Sequence, residues 1–163
     1  MYNNDGFREL DRQECLERLS SADVGRVVFT RDALPAVLPV NFWLDQDGAV
    51  LLRTSAASEM VRAVDGAVVA FEADQVDAAT RAGWSVVVTG VASVTADTDE
   101  RDRLTAMGPR SWVPWPDEVF VRIVPEIVTG RELLAGRTVY GVRLSPDGPD
   151  RAVNRSCPVR SEE

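Results

Sequence analysis

Seven short apolar segments, rich in valine and separated by turn residues, constrain the fold of this chain more than any other feature. The segments are residues 25–30, 34–44, 49–54, 67–73, 84–95, 118–124 and 127–133. They follow one another at the spacing of hairpins, and they do not alternate regularly with long helical patterns. This spacing predicts a mainly β fold, in which six or seven strands form an antiparallel barrel with small helices at its ends.

Short helical patterns interrupt the strands at three places. Asp11 and Glu14 have the spacing of a capping box, and Ser55 is expected to cap the second helix. The three helices are predicted over residues 10–20, 56–64 and 98–107. Each is too short to form a layer of its own, so all three are expected to pack against the barrel.

The chain lacks two residue types on which many enzymes depend. It contains no His, and every basic residue is Arg because the sequence contains no Lys. The absence of His excludes Ser-His and Cys-His nucleophilic pairs and His-ligated zinc or haem. The absence of Lys excludes a Schiff base with pyridoxal phosphate and a Walker A loop.

Charge and hydropathy bear on the partners of the chain. Acidic side chains number 26 and basic side chains 18, which gives a net charge of −8. A nucleic-acid partner is therefore not expected. No apolar run approaches the roughly 18 residues of a membrane-spanning helix. We expect a cytoplasmic protein without a membrane partner.

The 163 residues are expected to form one domain and a tail. The predicted domain covers residues 1–134. Residues 135–163 are rich in Pro, Asp, Arg and Ser and have no periodicity, so we expect them to be extended or flexible.

The segment LLRTSAAS, at residues 51–58, is the strongest local candidate for a binding site. A predicted strand ends in Arg53 and Thr54 and is followed by the first turn of a helix, which carries Ser55 and Ser58. A guanidinium, hydroxyls and unpaired N–H groups together suit a phosphate monoester. The alternative is that Ser55 only caps the helix and Arg53 pairs with a surface carboxylate.

Three other places could contact a planar ligand. Pro39 frees a strand edge, and Asn41 offers a donor and an acceptor beside aromatic residues. Trp84 and Ser85 begin the longest strand, and Arg131 follows a glycine. The alternative for each is structural: aromatic residues in the core, and Asn41 and Arg131 in solvent.

The order of these segments resembles the pyridoxamine 5′-phosphate oxidase-like, FMN-binding split-barrel family. Within that family it is similar to the nitroimidazole-resistance-type and actinobacterial flavin- or deazaflavin-binding members. The resemblance covers about residues 10–135 and is carried by VGRVVF, LPAVLPVNFWLDQDGAVLLRTSAASE, VAFEAD, GWSVVVTGVA and VRIVPEIVTGREL. It implies a six-stranded split barrel that forms a homodimer, with two FMN sites at the interface. It also implies an oxidoreductase that acts on a small-molecule substrate and takes electrons from a donor such as NAD(P)H.

The resemblance further implies which residues bind the cofactor. Some would contact the isoalloxazine and others the ribityl-phosphate, and part of the set would come from the partner subunit. Pro39, Val40 and Asn41 would line the ring, Arg53 and Thr54 would reach the ring edge and the phosphate, Ser58 would hold the phosphate, and Trp84, Ser85 and Arg131 would approach from the other side. No catalytic side chain is predicted, because a flavin supplies the redox chemistry itself.

Glu59 departs from the family pattern, which commonly has Lys or Arg after the serine. A carboxylate beside a phosphate dianion would weaken FMN binding unless Glu59 points away and Arg53 or Arg62 compensates. Five interpretations stay open. They are an FMN-dependent oxidoreductase, a deazaflavin-dependent reductase, a non-catalytic dimer that carries or sequesters flavin, a dimer that has lost its cofactor, and a haem-storage protein with Tyr, Cys or Met as ligand.

Overall fold

The computed structural model describes residues 7–95, 97–109 and 112–133. The predicted tail at residues 135–163 lies outside the described residues. In chain order the elements are β1 (Arg8–Leu10), α1 (Arg12–Ser20), β2 (Val24–Arg31), β3 (Leu34–Leu44), β4 (Val50–Ser55), α2 (Glu59–Val64), β5 (Val68–Asp77), β6 (Ala82–Val94), α3 (Thr98–Met107), β7 (Glu118–Ile123) and β8 (Ile127–Leu133).

Six of these strands close into an antiparallel barrel. Around the ring, β2 is followed by β3, β4, β7, β6 and β5, and β5 pairs again with β2. The other two strands lie outside the ring, since β8 pairs with β6 and β1 pairs with β8. The predicted mainly β, six-stranded antiparallel barrel is therefore confirmed.

The barrel closes where β6 changes partners. Its pairing with β8 ends at Thr89, and its pairing with β7 begins at Ala92. Gly90 lies between them and packs against the backbone just after β7, so that a Cβ atom placed on it would lie 1.7 Å from the carbonyl oxygen of Val124. Only glycine fits this crossing without a backbone shift.

Aromatic and aliphatic side chains fill the barrel. Phe42 and Phe71 pack with their ring centroids 4.7 Å apart, and both side chains are buried. Cys15 of α1 and Met60 of α2 are buried in the same core cluster, so these helices cover the barrel as predicted.

Helix α1 begins as its sequence predicts. The carboxylate of Asp11 accepts a hydrogen bond from the backbone N–H of Glu14, and the Glu14 carboxylate accepts one from the N–H of Asp11. The helix is also joined to the outer strands through Glu132, which is only 7% exposed and binds both Arg8 and Arg18.

Helix α2 begins later than predicted. It covers Glu59–Val64, and its cap is Ser58, whose hydroxyl oxygen accepts a hydrogen bond from the N–H of Met60 (3.2 Å). The prediction that Ser55 caps this helix is wrong. Ser55 is the last residue of β4 and pairs with Glu118 of β7, so its backbone belongs to the sheet.

The turn between β3 and β4 is anchored to α3 and β7 by one carboxylate. Asp45 accepts hydrogen bonds from Arg103 (2.9 Å) and Arg122 (2.6 Å), and its side chain is 9% exposed. These hydrogen bonds hold the pKa of Asp45 well below its usual range, and the hydrogen bond from Arg103 has the largest effect.

The lowered pKa of Asp45 predicts a loss of stability in acid. The Asp45 carboxyl binds a proton less readily in the folded state than in the unfolded chain. Its contribution to the free energy of unfolding is therefore present above about pH 4 and is lost as the pH falls further. We expect Asp45→Asn to lower the free energy of unfolding at pH 7 and to weaken its decline between about pH 4 and pH 2. Urea unfolding at a series of pH values measures the free energy of unfolding and its decline in acid.

Asp47→Asn is the control. Asp47 is more exposed than Asp45, and of the two arginines Arg103 and Arg122 it binds only Arg122. An unchanged decline in Asp45→Asn would contradict this assignment.

Candidate functional site

A groove of about 490 Å³ lies where strands β3 and β4 separate. The two strands pair only through residues 42–44 of β3 and 50–52 of β4. Beyond that point β3 continues along β2, while β4 continues along β7. Residues 38–41 and 53–55 therefore face the gap, and the loop that contains Val113 and Trp115 also lines it.

Six of the predicted cofactor-binding residues meet in this groove. β3 contributes three of them, the end of β4 contributes two, and the turn before α2 contributes one. They are Pro39, Val40, Asn41, Arg53, Thr54 and Ser58. The separation of two strands thus brings together residues that the sequence places in two segments.

Among the described residues that line the groove, Arg53 is the one that carries a charge. Its side chain is only 10% exposed, and its guanidinium carbon lies 5.0 Å from the centroid of the Phe120 ring. Within the described part of the chain, its Nε and Nη2 atoms are buried and have no hydrogen-bond partner. The nearest carboxylate oxygen, on Glu118, is 3.8 Å from Nε. A buried guanidinium with unused donors is unfavourable alone and suits an anionic ligand.

The turn before α2 is fixed by Asp117, at the end of the loop that lines the groove. The Ser55 hydroxyl donates to the Asp117 carboxylate (2.9 Å), and the N–H of Ala57 donates to the same group (3.2 Å). The N–H of Ala56 donates to the Asp117 carbonyl oxygen (2.9 Å). These N–H groups are therefore already used, which differs from the free helix terminus that the sequence suggested.

An anion in the groove would instead meet side-chain donors. The oxygen of the Ser58 hydroxyl accepts from Met60, so its proton is available to donate outward. Thr54 offers a second hydroxyl beside Arg53. The arrangement is one buried positive charge with two hydroxyls, which matches the chemistry of a phosphate ester.

Glu59 does not line this groove. It forms an ion pair with Arg31, and both residues line a separate cleft that also contains Arg62. Of the two arginines expected to compensate for Glu59, Arg62 therefore lies in the other cleft and Arg53 lies in the groove. The repulsion expected between Glu59 and a phosphate is not a feature of this arrangement.

The other three predicted residues lie elsewhere on the chain. Ser85 and Arg131 face each other across the pairing of β6 with β8, and the Arg131 guanidinium lies 5.4 Å from the centroid of the Phe7 ring. Trp84 is 6% exposed, and its indole N–H donates to Gln75 (3.3 Å). These three residues border clefts of about 340 and 460 Å³ that share no lining residue with the groove.

Two residues that shape the groove were not predicted from the sequence. Trp115 lines the groove, and Asp117 fixes the turn beside it. The segment GPRSWVPWPD at residues 108–117 reads only as a proline-rich loop. The available signal is the tryptophan between two prolines, since a large aromatic residue in a rigid loop often serves a surface contact.

Two absences hold for residues 7–95, 97–109 and 112–133. No group of three or more Cys, Asp or Glu residues there is arranged to hold a metal ion. The helices of that part of the chain are all too short or too polar to cross a bilayer.

Comparisons with known proteins bear on the family and the fold of the chain. The family model described as pyridoxamine 5′-phosphate oxidase matches residues 11–132. The uncharacterised protein Rv0080 of Mycobacterium tuberculosis is 46% identical over 132 residues, which cover 78% of this chain and 86% of that protein.

Two solved structures are also similar. The FAD binding protein from Mycobacterium smegmatis is 33% identical with a TM-score of 0.67, over 77% of this chain and 99% of that one. A conserved protein of unknown function from Corynebacterium diphtheriae is 37% identical with a TM-score of 0.68, over 80% of this chain and 100% of that one. The barrel and the family match together establish that the chain belongs to the pyridoxamine 5′-phosphate oxidase family.

Proposed function

We propose that this protein binds a flavin in the groove between β3 and β4 and works as a flavin-dependent oxidoreductase. The observation that carries the proposal is the buried guanidinium of Arg53, with two nitrogens that have no partner in the described chain. A flavin phosphate is an anion of suitable size in a groove of about 490 Å³. The Mycobacterium smegmatis relative, described as binding FAD, supports a flavin, and FMN is the form expected from the sequence.

Six residues of the groove each have a definite task in this proposal. Arg53 binds the phosphate through charge-assisted hydrogen bonds, and Thr54 and Ser58 donate their hydroxyl protons to it. Pro39, Val40 and Asn41 lie along the edge of β3 that faces away from β2, and they orient the ring through backbone groups and the Asn41 amide. A bound flavin supplies the hydride or electron transfer. The residues around it bind, orient and shield it from water.

The protein is also proposed to act as a homodimer. Leu34 and Leu38 of β3 are 68% and 39% exposed, and they lie on the same face of the strand because side chains alternate along it. Covering them with a second copy would bury this surface. In such a dimer, Trp84, Ser85 and Arg131 of one subunit are proposed to contact the flavin held by the other.

A non-catalytic flavin carrier is the second candidate. One observation favours it: in the part of the lining that the structure describes, Arg53 is the only titratable side chain. A site without a general acid or base suits storage as well as hydride transfer. A deazaflavin in place of FMN is the remaining alternative for the cofactor.

Anaerobic mixing of the flavin-loaded protein with NADH or NADPH tests whether the protein is an enzyme or a carrier. An oxidoreductase is expected to bleach its flavin absorbance much faster than the same concentration of free flavin does. Bleaching no faster than that of free flavin, with either donor, would contradict oxidoreduction from nicotinamide donors and favour the carrier.

A further inference from the structure

We propose that Glu118 limits the affinity of the groove for a doubly charged phosphate, because its carboxylate offsets part of the charge of Arg53. This inference rests on the proposed function, since it concerns the phosphate that Arg53 is proposed to bind. It gives Glu118 the opposing role that the sequence suggested for Glu59. Glu118 is thus a specificity-determining residue, which weakens the binding of the flavin phosphate and leaves the binding of the flavin ring unaffected.

The pairing of β4 with β7 places Glu118 beside Arg53. Arg53 pairs directly with Phe120, and Glu118 lies two residues before Phe120 on the same strand. Residues two apart in a strand point to the same face of the sheet, and a diagonal neighbour on the adjacent strand lies within reach of a long side chain. The side chains of Arg53 and Glu118 therefore share one face of this strand pair.

The two side chains form an ion pair without a hydrogen bond. One oxygen of the Glu118 carboxylate lies 3.8 Å from the Nε atom of Arg53, which is beyond hydrogen-bond distance. The side chains of Arg53 and Glu118 are only 10% and 27% exposed, so salt screens this pair less than it would screen a pair on the open surface. Glu118 therefore lowers the positive potential at Arg53 and leaves the Nε donor unused.

An anion bound to Arg53 would meet this second negative charge. A phosphate monoester carries a charge of about −1.5 to −2 at pH 7. It would bind the same guanidinium that Glu118 approaches, so the two anions would lie within the screening length of about 8 Å at physiological salt. Their repulsion opposes the attraction between Arg53 and the phosphate. It does not act on riboflavin, which has no phosphate.

Two other carboxylates near the groove differ from that of Glu118. The Glu59 carboxylate forms an ion pair with an arginine of the separate cleft. The Asp117 carboxylate accepts hydrogen bonds from the Ser55 hydroxyl and the N–H of Ala57, so its removal would disturb the turn before α2. Of these three carboxylates, only that of Glu118 lies within ion-pair distance of the guanidinium in the groove.

Glu118→Gln tests the proposal, because it removes the charge and keeps the size of the side chain. We expect the flavin-free variant to bind FMN about three to ten times more tightly than the wild-type protein, since one repulsive interaction with the phosphate is lost. Its affinity for riboflavin should change by less than about twofold. Isothermal titration of both flavins into both proteins measures the four dissociation constants without any need for turnover. A merely structural role of Glu118 would not give a gain in affinity for FMN alone.

Glu59→Gln is the matched control. It removes the same charge from the residue that follows Ser58, but this side chain lines the separate cleft. FMN affinity should therefore stay within about twofold of the wild-type value. Glu118→Asp is a second variant, which keeps the charge and draws it back from Arg53 by one methylene group. It should tighten FMN binding less than Glu118→Gln does.

The outcomes separate this inference from the proposed function. Unchanged or weaker FMN binding by Glu118→Gln, in a protein that still prefers FMN to riboflavin, would overturn the inference alone. An equal gain for riboflavin, or an equal gain in Glu59→Gln, would also overturn it. Failure of FMN to bind either the wild-type protein or Glu118→Gln would overturn the proposed function and this inference with it.

Discussion

Arg53→Met is expected to weaken FMN binding by about 10- to 100-fold. A loss of this size corresponds to the free energy of the charge-assisted hydrogen bonds that a guanidinium makes to a phosphate. Riboflavin has no phosphate, so its affinity should change by no more than about threefold if only phosphate contacts are lost. Methionine is chosen because it retains an unbranched apolar stem beside Phe120. Fluorescence titration of the flavin-free protein measures both affinities.

Stability separates a binding role for Arg53 from a structural role. Its Nε and Nη2 atoms are buried and have no partner in the part of the chain that the structure describes. Removing this charge gives up only the 3.8 Å ion pair with the partly exposed Glu118, so the unfolding midpoint of the flavin-free protein should change little. A residue that only supported the fold would lower the midpoint when replaced.

Arg62→Ala is the control for Arg53→Met. Arg62 lies nine residues after Arg53 in the sequence, but it lines the separate cleft with Glu59 and Arg31. Its removal should leave FMN affinity unchanged. A loss of FMN affinity in Arg62→Ala but not in Arg53→Met would contradict the placement of the phosphate.

Gly90→Ala is expected to destabilise the protein by about 3 kcal/mol or more. The added methyl group would lie 1.7 Å from the Val124 carbonyl oxygen and 2.9 Å from its carbonyl carbon, and both are backbone atoms. The clash occurs where β6 closes the barrel, so relief would require β6 and the chain after β7 to move apart. Urea unfolding of the flavin-free protein measures the loss.

Gly66→Ala is the matched comparison for Gly90→Ala. Gly66 has a φ of +73° but nothing within 4 Å of an added Cβ atom. Its replacement should cost only the strain of that backbone conformation, about 1–2 kcal/mol. If Gly90→Ala were no more destabilising than Gly66→Ala, the close packing at the β6 crossing would be refuted.

Local sequence signals predicted those parts of the fold that depend on neighbouring residues. The capping box of Asp11 and Glu14 is satisfied within four residues of chain, and it forms as predicted. The Asp97 carboxylate likewise caps α3 by accepting a hydrogen bond from the N–H of Glu100. Among the described strands, three of the eight pairings are short hairpins, which fix antiparallel neighbours before any distant contact is considered: β2–β3, β3–β4 and β5–β6. The other five pairings join strands that have at least one other helix or strand between them in the chain.

Long-range contacts explain where local reasoning went wrong. Ser55 has the composition of a helix cap, but its pairing with Glu118 keeps it in β4 and moves the cap to Ser58. Strand β1 was not predicted, because its three residues acquire strand conformation by pairing with β8. Nothing near either segment in the sequence signals these partners.

The candidate site likewise combines residues that the sequence pointed to with residues whose placement depends on long-range contacts. The local pattern drew attention to Arg53, Pro39 and Asn41, the resemblance added Val40, and the separation of β3 from β4 places all four in one groove. The direction of Glu59 in α2 depended on Arg31 at the end of β2. The place of Trp115 depended on the bonds of Asp117 to the turn at 55–57. Both follow from contacts between segments that are distant in sequence.

Buried Arg53 is proposed to bind a flavin through its phosphate. The ratio of the dissociation constants of FMN and riboflavin for the flavin-free wild-type protein tests this most directly. We expect FMN to bind about 10- to 100-fold more tightly, because riboflavin lacks the phosphate that Arg53 would contact. Equal affinities, or no binding of FMN, would contradict it.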